Sequence, residues 1–179
     1  MPKSLIMYQS LTGNTEKVAM RFKEVFEKKG WQYDVLKIDK NTDVEQPVDF
    51  GPYDFLCVGS GVNKQLPEEQ IAAMMFLLSH GRPDPGKKPP ARTRAETRII
   101  PGPKKGIVFV TYAGMHLDEK EAEPSLTLLE VEMEHLRFKC VGRFCCLGNF
   151  MNLPYLIGRP NERDLLRAEL FLEERLEDI

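Results

Sequence analysis

Short apolar runs alternate with amphipathic stretches along this chain, and that alternation restricts the fold more than any other feature. Leu5 to Gln9 is an apolar run of strand length, as expected for a parallel strand buried on both faces. Thr15 to Lys29 follows with Val18, Phe22, Val25 and Phe26 on one helical stripe, and Gly30 stops it. Trp31, Tyr33 and Val35 alternate into Ile38 as a second strand. Phe55 to Val58 predicts a third, closed by Gly59-Ser60-Gly61. Pro67-Glu68-Glu69 opens the next helix with residues suited to a first turn, and Ile71, Met74, Met75 and Leu78 form its inner stripe. Ile107 to Val110 predicts a fourth strand. Pro124 begins a helix with Leu126, Leu129, Met133 and Leu136 as buried positions, and Cys140 to Leu147 predicts a fifth strand. Asn161, with Asp164 three residues on, caps a last helix through Phe171 to Leu176. Each strand is followed by a helix or by a connection long enough to hold one. The pattern predicts an α/β fold, a doubly wound five-stranded parallel sheet with right-handed crossovers.

The 179 residues fit a single domain over 1–179, with its C-terminal helix at about 161–177. One stretch breaks the pattern. From Gly81 to Lys105 the chain holds six prolines, eight basic residues and two acidic ones, so it carries +6 while the remainder carries −8. That length and composition predict an insertion that leaves the domain, either a solvated arm or a docking surface for an acidic partner. It contains no aromatic residue to stack on bases, and the acidic body would repel phosphates, which argues against nucleic acid. No apolar run approaches the ~20 residues of a membrane span, and Leu5 to Tyr8 is too short for a signal segment. A cytoplasmic location is therefore expected. Cys57, Cys140, Cys145 and Cys146 contain no Cys-x-x-Cys pair and the three histidines are scattered, so no disulfide framework and no metal site are expected. Cys145 and Cys146, adjacent on a strand, should point to opposite faces.

The sharpest motif is Ser10-Leu11-Thr12-Gly13-Asn14-Thr15, between the first strand and the first helix. A phosphate there would meet hydroxyls, a glycine that lets the backbone approach, and helix N-terminal N–H groups. No lysine follows the glycine, so this is not a nucleoside-triphosphate loop, and the spacing is not the Gly-x-Gly-x-x-Gly of dinucleotide sites. A hydroxyl-rich loop without a fixed cation suits a phosphate monoester held by neutral donors.

With Glu16 included, this Ser-x-Thr-Gly-Asn-Thr-Glu run resembles the FMN-phosphate loop of the flavodoxins, and the likeness extends in order and spacing from Ser4 to about Asn149. The resemblance implies a flavodoxin-like strand order, 2-1-3-4-5, with FMN as cofactor at the carboxyl ends of the strands. The phosphate would fall to Ser10, Leu11, Thr12, Gly13, Asn14 and Thr15. The flavin ring would meet Ser60, Gly61, Val62 and Asn63 after the third strand, and Thr111, Tyr112, Ala113, Gly114 and His116 after the fourth. Tyr112 can stack on the ring. The implied function is electron transfer between redox partners, with no catalytic residue of the protein's own. The alternative is an FMN-dependent NAD(P)H oxidoreductase reducing a quinone or other small acceptor, for which a homodimer would complete the site. A flavin-binding interaction module that docks a partner through the basic stretch is a third reading.

Overall fold

A computed structural model describes residues 1–80, 104–114, 118–150 and 153–177. Six strands and four α-helices follow one another along them. The strands are β1 (Lys3–Gln9), β2 (Gln32–Ile38), β3 (Phe55–Asn63), β4 (Leu66–Pro67), β5 (Lys104–Tyr112) and β6 (Phe138–Leu147). The helices are α1 (Asn14–Lys28), α2 (Glu69–His80), α3 (Glu123–His135) and α4 (Glu162–Leu176). Five strands are parallel and run in the order β2-β1-β3-β5-β6, while the two-residue β4 pairs antiparallel with the end of β3. With β4 set aside, this is the expected 2-1-3-4-5 order.

The central strands β1, β3 and β5 are buried on both faces because they carry apolar residues at both parities. Along β1, Ile6 and Tyr8 enter a core with Val18, Phe22 and Phe26 of α1 and Leu172 of α4. Leu5 and Met7 enter the opposite core with Met75 of α2 and Leu129 of α3. Side chains two apart share a face, so consecutive residues feed different layers. Aromatic rings dominate the first layer. Phe22 packs edge-on to Phe109, with ring centroids 5.0 Å apart, and more distantly to Phe144 at 6.3 Å. Cys146 joins this layer and Cys145 packs against the other, the opposite-face placement expected of neighbours on a strand.

Three local readings change in the folded chain. The third strand does not close at Gly59 but runs on to Asn63, and its last residues turn into β4 through Lys64 and Gln65. Both turn residues have positive φ, 50° and 69°, as tight hairpins require, without the Asn-Gly signal that would announce one. A hydrogen bond from Ser125 Oγ of α3 to the Gln65 carbonyl, 2.9 Å, holds the turn. Consequently Pro67 lies in β4 rather than opening a helix. The connection from β2 to β3 contains no helix. Asp39, Asp43 and Asp49 accept backbone N–H bonds in successive turns instead, while Val44, Val48, Phe50 and Tyr53 pack on the second core. Pro47, Gly51 and Pro52 make the remaining residues a poor helix. Finally, Lys104 and Lys105 belong to β5, not to an arm. Lys104 Nζ donates to the carbonyls of Phe50 and Gly51 at 2.9 and 2.7 Å. The rest of the basic stretch, from Gly81 to Pro103, lies outside the described residues.

Helix α4 begins with the expected capping box. Asn161 Oδ1 accepts from the Asp164 amide at 3.1 Å, and Asp164 Oδ2 accepts from the Asn161 amide at 3.0 Å. Asp164 also takes both its oxygens to Arg159 Nη1, at 2.7 Å each. Asn161→Ala is expected to cost about 1 kcal/mol of stability. The check is the urea midpoint of the variant, and an unchanged midpoint would show that Asp164 and Arg159 suffice as the cap.

Candidate functional site

Parallel strands leave their carboxyl ends on one edge of the sheet. The chain crosses over between β1 and β3, which makes that edge a topological switch point. A cleft of about 220 Å³ opens there. Its walls come from the β1–α1 loop (Leu11, Thr12, Asn14), the end of β3 (Gly61, Val62, Asn63) and the end of β5 (Thr111, Tyr112, Ala113). These are the three segments singled out in the sequence. Glu68, Gly148 and Phe150 complete the lining and were not anticipated.

The loop after β1 is built around Gly13, whose φ of 80° starts α1 without a capping side chain. A residue with a Cβ would pay about 1–2 kcal/mol for that conformation. Ser10 Oγ accepts from the Glu16 amide at 3.2 Å. Asn14 Nδ2 donates to Thr12 Oγ1 and to the Asn149 carbonyl, both at 2.8 Å, so the loop is strapped to the chain after β6. Gly148 makes that approach possible, since a Cβ there would lie 2.9 Å from Asn14 Nδ2. Thr15 Oγ1 and Thr111 Oγ1 are 2.8 Å apart and buried, joining the first loop to the end of β5. Ser60 Oγ accepts from the Glu68 amide at 2.8 Å. Ser10, Gly13, Thr15, Ser60 and Gly114 are not among the residues that line the cleft, and of these Thr15 and Ser60 are buried. His116 lies outside the described residues.

Tyr112 lines the cleft, but only 6 % of its surface is exposed and it packs in the second core. Burial pushes its phenol well above the ordinary tyrosine range. Phe150, 38 % exposed, is a second ring on the cleft and far more accessible.

No lysine or arginine lines the cleft among the described residues, and Glu68 is its one carboxylate. Glu68 is only 7 % exposed. Its Oε1 accepts from the Leu11 amide at 3.3 Å, and its Oε2 is buried without a hydrogen-bond partner. Burial raises its pKa, and the Leu11 bond opposes that rise in part. In the sequence this residue read as an ordinary first-turn acid. The extension of β3 and the return through β4 are what turn it inward.

The cysteines are free thiols. Burial pushes Cys140 and Cys145 up to about 11 and Cys146 up to about 12, which disfavours the thiolate and with it thiol chemistry beside the cleft. Two of the histidines are not scattered in space. His80 and His135, at the ends of α2 and α3, have ring centroids 4.6 Å apart, with Glu132 Oε2 3.4 and 3.8 Å from their Nδ1 atoms. Ser79 Oγ donates to the same carboxylate and His80 Nδ1 reaches the Phe76 carbonyl, while His135 Nδ1 is buried without a hydrogen-bond partner; none of these residues lines the cleft.

A parallel sheet in this order, with hydroxyl-rich and small residues gathered at its switch point, defines a flavodoxin-like α/β protein. Residues 5–81 match the family described as flavodoxin domain. Flavodoxin 2 from Bacillus cereus superposes with a TM-score of 0.67 at 18% identity, over 99% of each chain. A short-chain flavodoxin associated with a non-canonical PDU bacterial microcompartment gives 0.67 at 16% identity, also over 99% of each. Rubredoxin oxygen:oxidoreductase from Desulfovibrio gigas gives 0.60 at 15% identity, covering 96% of this chain and 34% of that one. No curated protein sequence matches. FMN is the cofactor that the flavodoxin domain implies. The donor set fits its phosphate: the hydroxyls of Thr12 and Thr111 line the cleft with Asn14, the first residue of α1, and the N-cap residue Gly13 has no side chain to occupy the helix start. The buried, unpartnered Glu68 Oε2 and Asn149 Oδ1 are consistent with a polar ligand in this region. The one discordant group is the Glu68 carboxyl itself.

Proposed function

We propose that this chain binds FMN in the cleft and passes electrons between redox partners. The observation that carries the reading is the convergence of the first loop, the end of β3 and the end of β5 on a single cleft at the switch point. When bound, FMN supplies the redox chemistry, and the protein supplies binding, orientation and tuning. Thr12 and Asn14 with the start of α1 hold the phosphate by neutral donors. Gly61, Val62 and Asn63 bring backbone to the ring on one side, and Tyr112 with Ala113 does so on the other. Tyr112, clamped in the core, is a rigid wall, while Phe150 offers the cleft a second, more exposed ring. No described side chain lining the cleft other than Glu68 is placed to gain or lose a proton near neutral pH, which suits electron transfer better than acid–base catalysis.

The test is reconstitution of the purified protein with FMN, followed by exposure to NADPH and NADH. A stoichiometric complex that photoreduction or dithionite bleaches, and that neither nicotinamide reduces, is the expected result. Rapid NAD(P)H oxidation with a soluble quinone would favour the reductase instead. Failure to bind FMN would end both readings.

A further inference from the structure

We propose that Glu68 is part of the cofactor site, binding the FMN phosphate as a neutral carboxylic acid, so that FMN binding takes up a proton. This rests on the FMN reading above. Several independent placements aim the side chain. The Glu68 amide is fixed by Ser60 Oγ at 2.8 Å. The Leu11 amide, one of the N–H groups of the phosphate-type loop, donates to Oε1 at 3.3 Å. Gly61 makes the room, since a Cβ there would lie 2.5 Å from Oε1. The remaining oxygen, Oε2, is buried and has no partner, on a residue 7 % exposed that lines the cleft beside Thr12 and Asn14.

The chemistry follows from charge. An ionised Glu68 would take a loop amide from the phosphate and repel it, with no cationic side chain among the described residues lining the cleft to compensate. A protonated Glu68 turns the unpartnered oxygen into a donor, and an O–H to a phosphate oxygen is a charge-assisted bond. Among the described residues, the groups in contact with Glu68 do not titrate: Leu11 comes from the first loop, and Ser60 and Gly61 from β3. The other ionisable group on the cleft, Tyr112 of β5, stays a phenol at neutral pH because burial raises it. Glu16 of α1 is turned to Tyr8 and Lys37. Burial already favours the neutral carboxyl before any ligand enters.

The sign is set by linkage. If the complex holds more protons than the free protein, affinity falls as pH rises between the free and the bound pKa of Glu68. The phosphate's own second ionisation, near pH 6, acts in the opposite direction, so measurements belong above it. The experiment is titration of the full chain with FMN, and separately with riboflavin, from pH 6.5 to 8.5, followed by flavin fluorescence, for wild type and Glu68→Gln. Glutamine keeps an acceptor for the Leu11 amide and a donor for the phosphate at every pH. Expected is a wild-type Kd for FMN that rises with pH, up to tenfold per unit. Expected too is a nearly flat Kd for Glu68→Gln that is tighter than wild type at pH 8.5, with riboflavin insensitive to pH in both. A flat wild-type profile would overturn the proposal, as would a slope that persists in Glu68→Gln or appears equally with riboflavin; in each case FMN binding itself would stand. Absence of FMN binding by either protein at every pH would overturn the proposal together with the function it rests on.

Discussion

Gly59→Ala is expected to destabilise the protein by about 1–3 kcal/mol, and to do so from inside the sheet rather than at the cleft. A Cβ on Gly59 would lie 2.1 Å from Cζ of Phe109 and within 2.5 Å of two further ring atoms. The Phe109 ring cannot simply step aside. It is fully buried and packed edge-on against Phe22 of α1, which is itself fully buried. Either the ring leaves its rotamer or β3 moves away from β5, and β3 pairs with β5 from Phe55 through Gly61. The measurement is the urea midpoint and slope of the variant against wild type. A midpoint equal to wild type would mean that the aromatic layer tolerates repacking, and that Gly59 is dispensable for close approach.

Thr12→Ala combined with Thr15→Ala should weaken FMN binding by about 1–2 kcal/mol, roughly five- to thirtyfold: ~1 kcal/mol for the neutral hydrogen bond that Thr12 can donate, and the rest from a loop loosened by loss of the Thr15–Thr111 pair. The two threonines act differently. Thr12 lines the cleft, accepts from Asn14 Nδ2 and keeps its own proton to donate. Thr15 stands behind it, bonded to Thr111 Oγ1 in a buried pair that fixes the loop against β5. The Thr15 change also strands the Thr111 hydroxyl, so the variant should unfold at a lower temperature without ligand, by an amount worth about 1–3 kcal/mol. Titration with FMN and apoprotein melting separate these effects. An FMN affinity equal to wild type in the double variant would place the phosphate away from this loop.

The parts of the protein that could be read without its fold are those settled by local rules. The apolar run of β1, the stripe of α1, the capping box at Asn161 and the Ser10–Thr15 loop each depend on residues within a few positions of one another. Their spacing maps directly onto strand and helix periods. The opposite-face placement of Cys145 and Cys146 follows from the same period of two. Sheet order was legible only through the resemblance carried by Ser10 to Glu16, since pairing β1 with β3 is a contact across some fifty residues.

What the sequence by itself left open was decided by contacts between distant segments. Lys64 and Gln65 carry no tight-turn signature; the Ser125 bond from α3 and the pairing of Val62 with Pro67 hold them in it. That turn, in place of a helix starting at Pro67, is what carries Glu68 into the cleft. Gly148 and Phe150 join the site because β6 ends beside the first loop, where Asn14 reaches the Asn149 carbonyl. His80 and His135 meet because α2 and α3 pack on the same face. Local sequence therefore determined the five parallel strands, the four helices in outline and the place of the hydroxyl-rich loop between β1 and α1. Only the tertiary structure decided which ionisable group lines the cleft, because that depends on desolvation and on partners that no short window of sequence contains.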